Sequence, residues 1–265
     1  MKALVLNELH FFKDSNGIFW TERLTDYSYF TRYLNAFESI SICARVSYIE
    51  KAKTSFLRVS GQNVNFVELP DSYGIKQTIM LLKRTKKIFR QALHNHDAVI
   101  TRAPSMLMIF LYSEIKKSGL PFSIDVALSG KKMIPSEGLF AKIANKIIDC
   151  KLKKMCQEAQ GVSYVTEYVL QKEYPCKAMY TDDGYHFTGS FSTLELKEEH
   201  FRKPLWDSSS PPTEYIVTNC GFMDDDRKCQ KYLLQAFSNV VKKGYNAKLW
   251  LIGDGALRPQ YEQLA

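Results

Sequence analysis

Four polar residues stand at or just after the ends of apolar, strand-like runs and could carry chemistry. His10 follows "KALVLNE", where an imidazole could act as a base or contact a substrate. Arg102 and Ser105 lie at the end of "DAVITRAP", where they could bind a phosphate or an acceptor group, and Glu167 ends "GVSYVTE". Structural alternatives stay open, namely a surface or core histidine for His10 and a salt bridge for Arg102.

A glycine in the first polar loop has two interpretations. Gly17 ends "KDSNG", and a residue without a Cβ would let the backbone approach a phosphate closely. The same glycine could simply complete a turn. Both interpretations stay open from the sequence.

No metal or redox site is expected. His94 and His96 share "HNHD" but have no third ligand nearby. The six cysteines are far apart and form no CxxC pair, which is typical of reduced thiols in a cytoplasmic protein.

The elements that must position these residues alternate in type. Short apolar runs predict strands, and longer amphipathic runs predict helices. Predicted strands cover 2–8, 39–46, 63–70, 97–104, 121–130 and 161–167, and predicted helices cover 22–37, 76–90, 105–118, 137–160 and 168–175. Alternation of this kind predicts a mainly parallel α/β sheet, whose ligand crevice lies beyond the carboxyl ends of the strands. We therefore expect the loops beginning at Glu8, Arg102 and Ser129 to surround one site.

A second domain is expected after a polar, proline-rich segment. "DSSSPP" reads as a linker, so the predicted domains are 1–207 and 213–265, joined by a linker at 208–212. The second has a strand, a helix, another strand and the start of a helix with Pro259 in its first turn. We expect this domain to be incomplete, because about 50 residues are too few for a covered parallel sheet.

The formal net charge of +8 is concentrated in two amphipathic stretches, 76–90 and 141–155. Basic amphipathic helices suit anionic surfaces, although helices packed on a sheet often look the same. Their apolar residues are mostly aliphatic, which disfavours nucleic acid. No apolar run approaches the about 20 residues of a membrane span.

The C-terminal run "LLQAFSNVVKKGYNAKLWLIGDGALRPQYEQLA" resembles the opening of the donor domain of family-4 retaining glycosyltransferases. "DAVITRAPS", "GLPFSIDV" and "AQGVSYVTEYVLQKEYP" agree with the same family. The resemblance implies a GT-B fold, in which an N-terminal Rossmann-like, doubly wound parallel sheet precedes the start of a second Rossmann-like domain. It also implies retention of anomeric configuration.

The resemblance also implies roles for single residues. In that family, two strand-end loops and the following helix N-termini hold the donor diphosphate, with a basic residue beside it. Phe222 stands where the family commonly has an arginine, and the family's donor-gripping carboxylates would lie beyond residue 265. The donor and phosphate candidates are Gly17, Gly221, Arg227, Lys228, Gly253 and Gly255. The acceptor-side candidates are His10, Arg102, Ser105 and Glu167.

The expected function is that of a glycosyltransferase of hexosyltransferase type, or its N-terminal part. It would move a sugar from a nucleotide-sugar donor to a glycan or lipid-linked acceptor in cell-surface polysaccharide biosynthesis. We expect no cofactor, no metal and no nucleic acid, and a cytoplasmic location with peripheral binding to anionic membrane. The alternative is a non-catalytic, truncated relative that serves as a basic binding module for a membrane surface or nucleic acid. An NAD-linked enzyme is disfavoured because no GxGxxG follows the first strand.

Overall fold

The chain forms two compact units, Met1–Glu195 and Leu196–Ala265. The computed structural model describes residues 1–23, 25–134, 138–192, 198–203 and 212–265. The predicted linker at 208–212 lies outside the described residues except for Pro212.

The first unit alternates strands and helices as the sequence predicts. Its strands are β1 (Lys2–Lys13), β2 (Phe19–Thr21), β3 (Ser39–Tyr48), β4 (Leu57–Arg58), β5 (Val64–Leu69), β6 (Ala98–Ala103), β7 (Phe122–Val126), β8 (Gly161–Tyr164) and β9 (Phe187–Ser190). Its α-helices are α1 (Tyr27–Thr31), α2 (Gly74–Met80), α3 (Leu82–Leu93), α4 (Met106–Ser118), α5 (Leu139–Glu158) and α6 (Val169–Glu173).

The sheet is doubly wound, as predicted. Its parallel strands lie in the order β5-β3-β1-β6-β7-β8-β9, and β2 and β4 extend it in antiparallel pairing. The strand order changes direction between β1 and β6. In sheets of this kind, ligands bind at such a switch point, beyond the carboxyl ends of the strands.

Both faces of β1 are buried in its first half. Leu4 and Leu6 pack into the apolar cluster under α3, α4 and α5, whereas Ala3 and Val5 join the cluster on the opposite face. A strand covered on both faces needs a continuous apolar run, which explains "ALVL".

The first strand is longer than predicted, and this changes the setting of His10. β1 pairs with β3 up to Lys13, with a register shift between Leu6 and His10. The loop at 13–17 is the turn of a hairpin with β2, so the strand does not end at Glu8. His10 therefore lies within a strand and not in an exit loop.

Two predicted helices are divided or shortened. The basic stretch 76–90 is split between α2 and α3 at Leu81, whose φ and ψ of -91° and 1° are not helical. In the stretch 22–37, the Asp26 side chain accepts from Tyr29 N and starts α1 at Tyr27. The α-helix ends at Thr31 and a short 3-10 helix follows, Arg32–Asn35.

The second unit has the predicted order of elements. β10 (Tyr215–Cys220) and β11 (Ala247–Ile252) pair in parallel, α7 (Gln230–Lys242) connects them, and α8 (Arg258–Leu264) follows with its proline in the first turn. Within its described part, only Met223, Gln230 and Tyr261 are buried. Little apolar surface is therefore removed from water in this unit.

Candidate functional site

A carboxylate and a guanidinium meet at the switch point between β1 and β6. The Glu8 carboxylate accepts from Arg45 Nη2 at 2.6 Å and from Ser105 Oγ at 2.6 Å. Arg45 is 8% exposed and also donates to the carbonyls of Glu8 and Ser72. Burial of a guanidinium requires such a partner, so Glu8 compensates a charge that would otherwise be costly.

The same carboxylate occupies the N-terminus of α4. Leu107 N donates to Glu8 Oε2 at 2.9 Å, and the N-cap Ser105 accepts from Met108 N at 3.1 Å. Negative charge is favoured at a helix N-terminus. Ser105, predicted as a ligand contact, thus donates its hydroxyl hydrogen to Glu8 and caps α4.

His10 lies beside this network, against a second carboxylate. Its Nδ1 is 3.2 Å from Asp71 Oδ1, and its ring stacks on Tyr73 with centroids 4.4 Å apart. The Nδ1–Oδ1 contact has the length of a hydrogen bond but not its alignment, and Nδ1 is buried. Asp71 Oδ2 accepts from Ser47 Oγ at 2.6 Å, which fixes the orientation of the carboxyl group. We call His10, Ser47, Asp71 and Tyr73 the histidine cluster.

The surroundings of His10 favour its neutral form. Burial lowers the pKa of His10 below its ordinary value of 6.5, and the charge of Arg45 lowers it further. The carboxylates of Asp71 and Glu8 act in the opposite direction but do not outweigh these effects. The imidazole is therefore uncharged at neutral pH.

Arg102 belongs to a different group of side chains, on the α1 side of the sheet. Arg102 Nη1 donates to Tyr29 OH at 2.9 Å, and the Arg32 guanidinium stacks on the Tyr29 ring at 3.9 Å. Tyr33 OH lies 3.5 Å from Asp125 Oδ2, and burial raises the pKa of Tyr33 well above its ordinary value. The guanidinium of Arg102 is thus positioned by a phenol; its acceptor-side role stays a prediction.

The loop beginning at Ser129 is held by internal bonds. Tyr174 is buried, and its hydroxyl donates to Asp149 Oδ1 at 2.6 Å and accepts from Gly130 N at 2.8 Å. Ser129 Oγ donates to Glu173 Oε1 at 2.6 Å. Glu167 is exposed and lies three residues past the end of β8, so it is not a strand residue as predicted.

Gly17 completes the hairpin turn between β1 and β2. Its φ of 78° favours glycine, and its N–H donates to Asp14 O at 2.9 Å. The Asp14 carboxylate accepts from Asn16 N and Ile18 N, both at 2.9 Å. These N–H groups are already paired, so the geometry gives Gly17 a role in the turn, and its donor contact stays a prediction.

The two strand-end loops of the second unit pack against each other. Gly221 N donates to Ile252 O at 2.9 Å, and Met223 N donates to Asp254 O at 2.9 Å. A Cβ at Gly253 would lie 2.0 Å from Gly221 O, and one at Gly255 would lie 2.3 Å from the Met223 carbonyl carbon. Both glycines are therefore required by close backbone approach.

Lys228 lies next to these loops. A Cβ at Gly221 would be 3.2 Å from Lys228 Cγ, so the lysine stem covers the glycine. Lys228 also precedes α7, which has no side-chain N-cap. The backbone of the candidate Arg227 lies in a short 3-10 helix, Asp226–Lys228. Its side chain is not among the parts of the chain that the structure describes.

Sequence reasoning missed Arg45 and Asp71 as site residues and used Glu8 only to mark the start of a site loop, although signals for Arg45 and Asp71 were present. Arg45 is a charged residue inside an apolar strand, and Asp71 follows the end of β5. Applying the carboxyl-end rule to that strand as well would have pointed to Asp71. Within the described ranges, no group of three metal-ligating side chains comes together.

No protein-family model matches the chain. It is 28% identical over 228 residues to a Staphylococcus aureus protein named Protein CapJ. The match covers 84% of this chain and 54% of the relative, so the chain spans about half the length of this curated relative.

Two solved structures illustrate the structural likeness. UGT89C1 of Arabidopsis thaliana, solved with UDP, has a TM-score of 0.46 at 13% identity, covering 99% of this chain and 68% of that chain. Sucrose-phosphate synthase from Thermosynechococcus elongatus has a TM-score of 0.55 at 13% identity, covering 99% of this chain and 66% of its own. The likeness to the synthase shows the fold: this chain has the GT-B fold, built of Rossmann-like units.

Proposed function

We propose that this chain is part or all of a glycosyltransferase that moves a sugar from a nucleotide-sugar donor to a glycan or lipid-linked acceptor. The observation that carries the proposal is the second unit's pair of glycine-packed strand-end loops, beside an uncapped helix with Lys228 at its start. A helix N-terminus without a side-chain cap and a lysine beside it attract a diphosphate, which is the leaving group of such donors. The fold agrees with this activity, and the family-4 assignment, hexosyl transfer and polysaccharide biosynthesis rest on the sequence resemblance.

Two acidic residues lie near the strand-end loops of the second unit, and each has a partner that offsets part of its negative charge. Asp226 Oδ1 accepts from Tyr261 OH at 3.2 Å, and Asp254 lies 3.7 Å from Arg258 Nη1. Each contact reduces the repulsion that a diphosphate would meet. We propose a nucleotide-sugar as substrate, with no cofactor and no metal.

Donor binding tests this proposal. Isothermal calorimetry would use UDP, UDP-glucose, UDP-N-acetylglucosamine and GDP-mannose with the protein expressed from the complete reading frame that contains this chain. We expect Lys228→Ala to weaken donor binding at least about tenfold, because hydrogen bonds between charged groups contribute about 1.5–3 kcal/mol. Lys242→Ala, at the opposite end of α7, should change it less than twofold. Absence of binding to every nucleotide would contradict the proposal and favour the non-catalytic alternative.

A membrane surface is the partner we propose for α5. The first half of this helix exposes large apolar side chains between lysines, with no acidic residue before Asp149. The exposed residues are Leu139, Phe140, Ile143 and Ile147, at 52–83%, and the lysines are Lys142 and Lys146. A helix face of this composition binds anionic lipid by apolar burial and charge attraction together. This face would hold the protein at the cytoplasmic leaflet. The described residues include no helix long and apolar enough to span a bilayer.

Vesicle sedimentation checks the membrane proposal. Phe140→Ser combined with Ile143→Ser should reduce binding to phosphatidylglycerol vesicles at least about tenfold, since each buried apolar side chain contributes about 1.5–3 kcal/mol. Tyr180→Ser combined with Tyr185→Ser removes two other exposed aromatic residues and should leave binding unchanged. Equal binding of the helix variant, or equal affinity for neutral phosphatidylcholine vesicles, would contradict it.

A further inference from the structure

Two arginines meet at one tyrosine on the α1 side of the sheet. Arg102 Nη1 donates to Tyr29 OH at 2.9 Å, while the Arg32 guanidinium stacks 3.9 Å from the centre of the same ring. Arg32 Nη2 also donates to Tyr33 OH at 3.1 Å. One guanidinium therefore lies at the hydroxyl of Tyr29 and the other on its ring face, so two positive charges lie close together.

The fold brings these side chains together from two elements. Arg32 and Tyr33 follow Tyr29 by three and four residues along α1 and the 3-10 helix after it, so the three share one face. Arg102 stands near the carboxyl end of β6, beside the switch point between β1 and β6. Ligands bind beyond this edge of such a sheet. All four side chains are partly exposed, so a ligand can reach them.

The two arginines differ from the paired arginines of the same unit. Arg45 has the Glu8 carboxylate as its partner, and Arg90 donates to a carboxylate at 2.7 Å. Within the part of the chain that the structure describes, Arg32 and Arg102 form no ion pair, and their hydrogen bonds go to phenols. A phenol orients a guanidinium without neutralising it.

Asp125 supplies one negative charge beside these arginines. It is the register partner of Arg102 on β7, so the two side chains lie on the same face of the sheet. Its Oδ1 accepts from Ser163 Oγ, and its Oδ2 lies 3.5 Å from Tyr33 OH. Asp125 therefore orients the phenol that contacts Arg32. Two guanidiniums and one carboxylate leave an excess of one positive charge.

We propose that Arg32 and Arg102 bind an anionic group of the acceptor, either a phosphate or a carboxylate, with Tyr29 as their positioning residue. The inference rests on the proposed glycosyltransferase function and names the chemical class of its acceptor. A guanidinium has five N–H donors in a rigid fork that matches the oxygens of either anion. The bond to tyrosine uses one of these donors in each arginine, and the remaining donors are available to the ligand.

Calorimetry with three octyl ligands tests this inference and separates the two sources of charge. Octyl glucoside is neutral, octyl glucuronide carries a carboxylate and octyl phosphate carries a phosphate, while the tail is the same in all three. The protein is expressed from the complete reading frame. We expect one acidic ligand to bind at least about tenfold more tightly than octyl glucoside, because hydrogen bonds between charged groups are the strong ones. Preference for octyl glucuronide would identify an acidic sugar, and preference for octyl phosphate a phosphorylated carrier.

Variants of the two arginines place the anion. Arg32→Gln and Arg102→Gln should each weaken binding of the preferred acidic ligand at least about tenfold and change the affinity for octyl glucoside less than twofold. Arg84→Gln replaces an exposed arginine of α3 and should change neither affinity. Tyr29→Phe keeps both charges and the ring but removes the hydroxyl that positions Arg102, so we expect a loss of about three- to tenfold for the acidic ligand alone.

The neutral ligand separates a binding role from a structural one. A variant that only disturbs the fold weakens all three ligands, whereas loss of a charge contact weakens the acidic ligands alone. If Arg102→Gln does not fold, Arg102→Lys keeps the charge without the fork and should lose part of the acidic preference. Lys228→Ala should keep the whole preference. Loss of the preference in Lys228→Ala, with its retention in the Arg102 variant, would place the anion in the second unit and overturn the inference.

The inference and the proposed function fail separately. Binding of nucleotide sugars together with equal affinity for the three octyl ligands would overturn the inference and leave the proposed function intact. An acidic preference that persists when Arg32→Gln and Arg102→Gln are combined would do the same. Absence of nucleotide binding would remove the proposed function, and the acceptor role of the anion with it, even if Arg102→Gln no longer bound the acidic ligand.

Discussion

Replacing Glu8 by alanine is expected to lower the free energy of unfolding of the first unit by about 2–4 kcal/mol. The substitution leaves the buried Arg45 guanidinium without its carboxylate, and removal of one partner of a buried ion pair costs about 3–5 kcal/mol. The Glu8 side chain is 33% exposed, and this partial exposure to water lowers the expected cost to about 2–4 kcal/mol. The N-terminus of α4 also loses the acceptor for Leu107 N.

Hydrogen exchange of the most protected amides in β1 and β3 measures this loss. Glu38→Ala is the matched control, because Glu38 pairs with the N-terminal amine in an exposed setting that contributes at most about 1 kcal/mol. The double variant Glu8→Gln with Arg45→Met should recover most of the stability, since neither buried charge remains. Equal protection in Glu8→Ala and Glu38→Ala would show that the pair does not stabilise the fold.

The same pair shows why the fold was easier to predict than the site. Apolar runs of strand length and amphipathic runs between them are local patterns, and they predicted the mainly parallel α/β sheet, while the family resemblance implied its doubly wound order. Glu8, Arg45 and Ser105 are separated by 37 and 60 residues along the chain, and only the strand order β3-β1-β6 brings them together. No local pattern in the sequence predicts that strand order.

His10 illustrates a second limit. Its candidacy came from the end of an apolar run, yet β1 continues past it to Lys13 because the next polar segment forms a hairpin turn. Its partner Asp71 follows a strand whose end the sequence analysis located correctly but did not include among the site loops. Prediction of the pair needed the adjacency of β1, β3 and β5, which is a property of the sheet and not of either segment.

The second prediction with a large expected effect concerns the second unit. Gly253→Ala should destabilise this unit by about 2–6 kcal/mol. A Cβ there would lie 2.0 Å from the carbonyl oxygen of Gly221, so the two strand ends must move apart. Overpacking costs about 1–3 kcal/mol, and the φ of 149° adds strain of about 1–3 kcal/mol.

Separation of the strand ends would also lengthen the bonds from Gly221 N to Ile252 O and from Met223 N to Asp254 O. Few side chains in this unit are buried, so little packing compensates the loss. Gly244→Ala is the matched control: its φ of 82° is also unfavourable for alanine, but no atom lies within 4 Å of the new Cβ, so only strain of about 1–2 kcal/mol is expected. Exchange of the β10 and β11 amides measures both variants. If Gly253→Ala lowers the free energy of unfolding no more than Gly244→Ala does, the two loops can separate at little cost. The close contact between Gly253 and Gly221 would then not determine the loop geometry that we propose for donor binding.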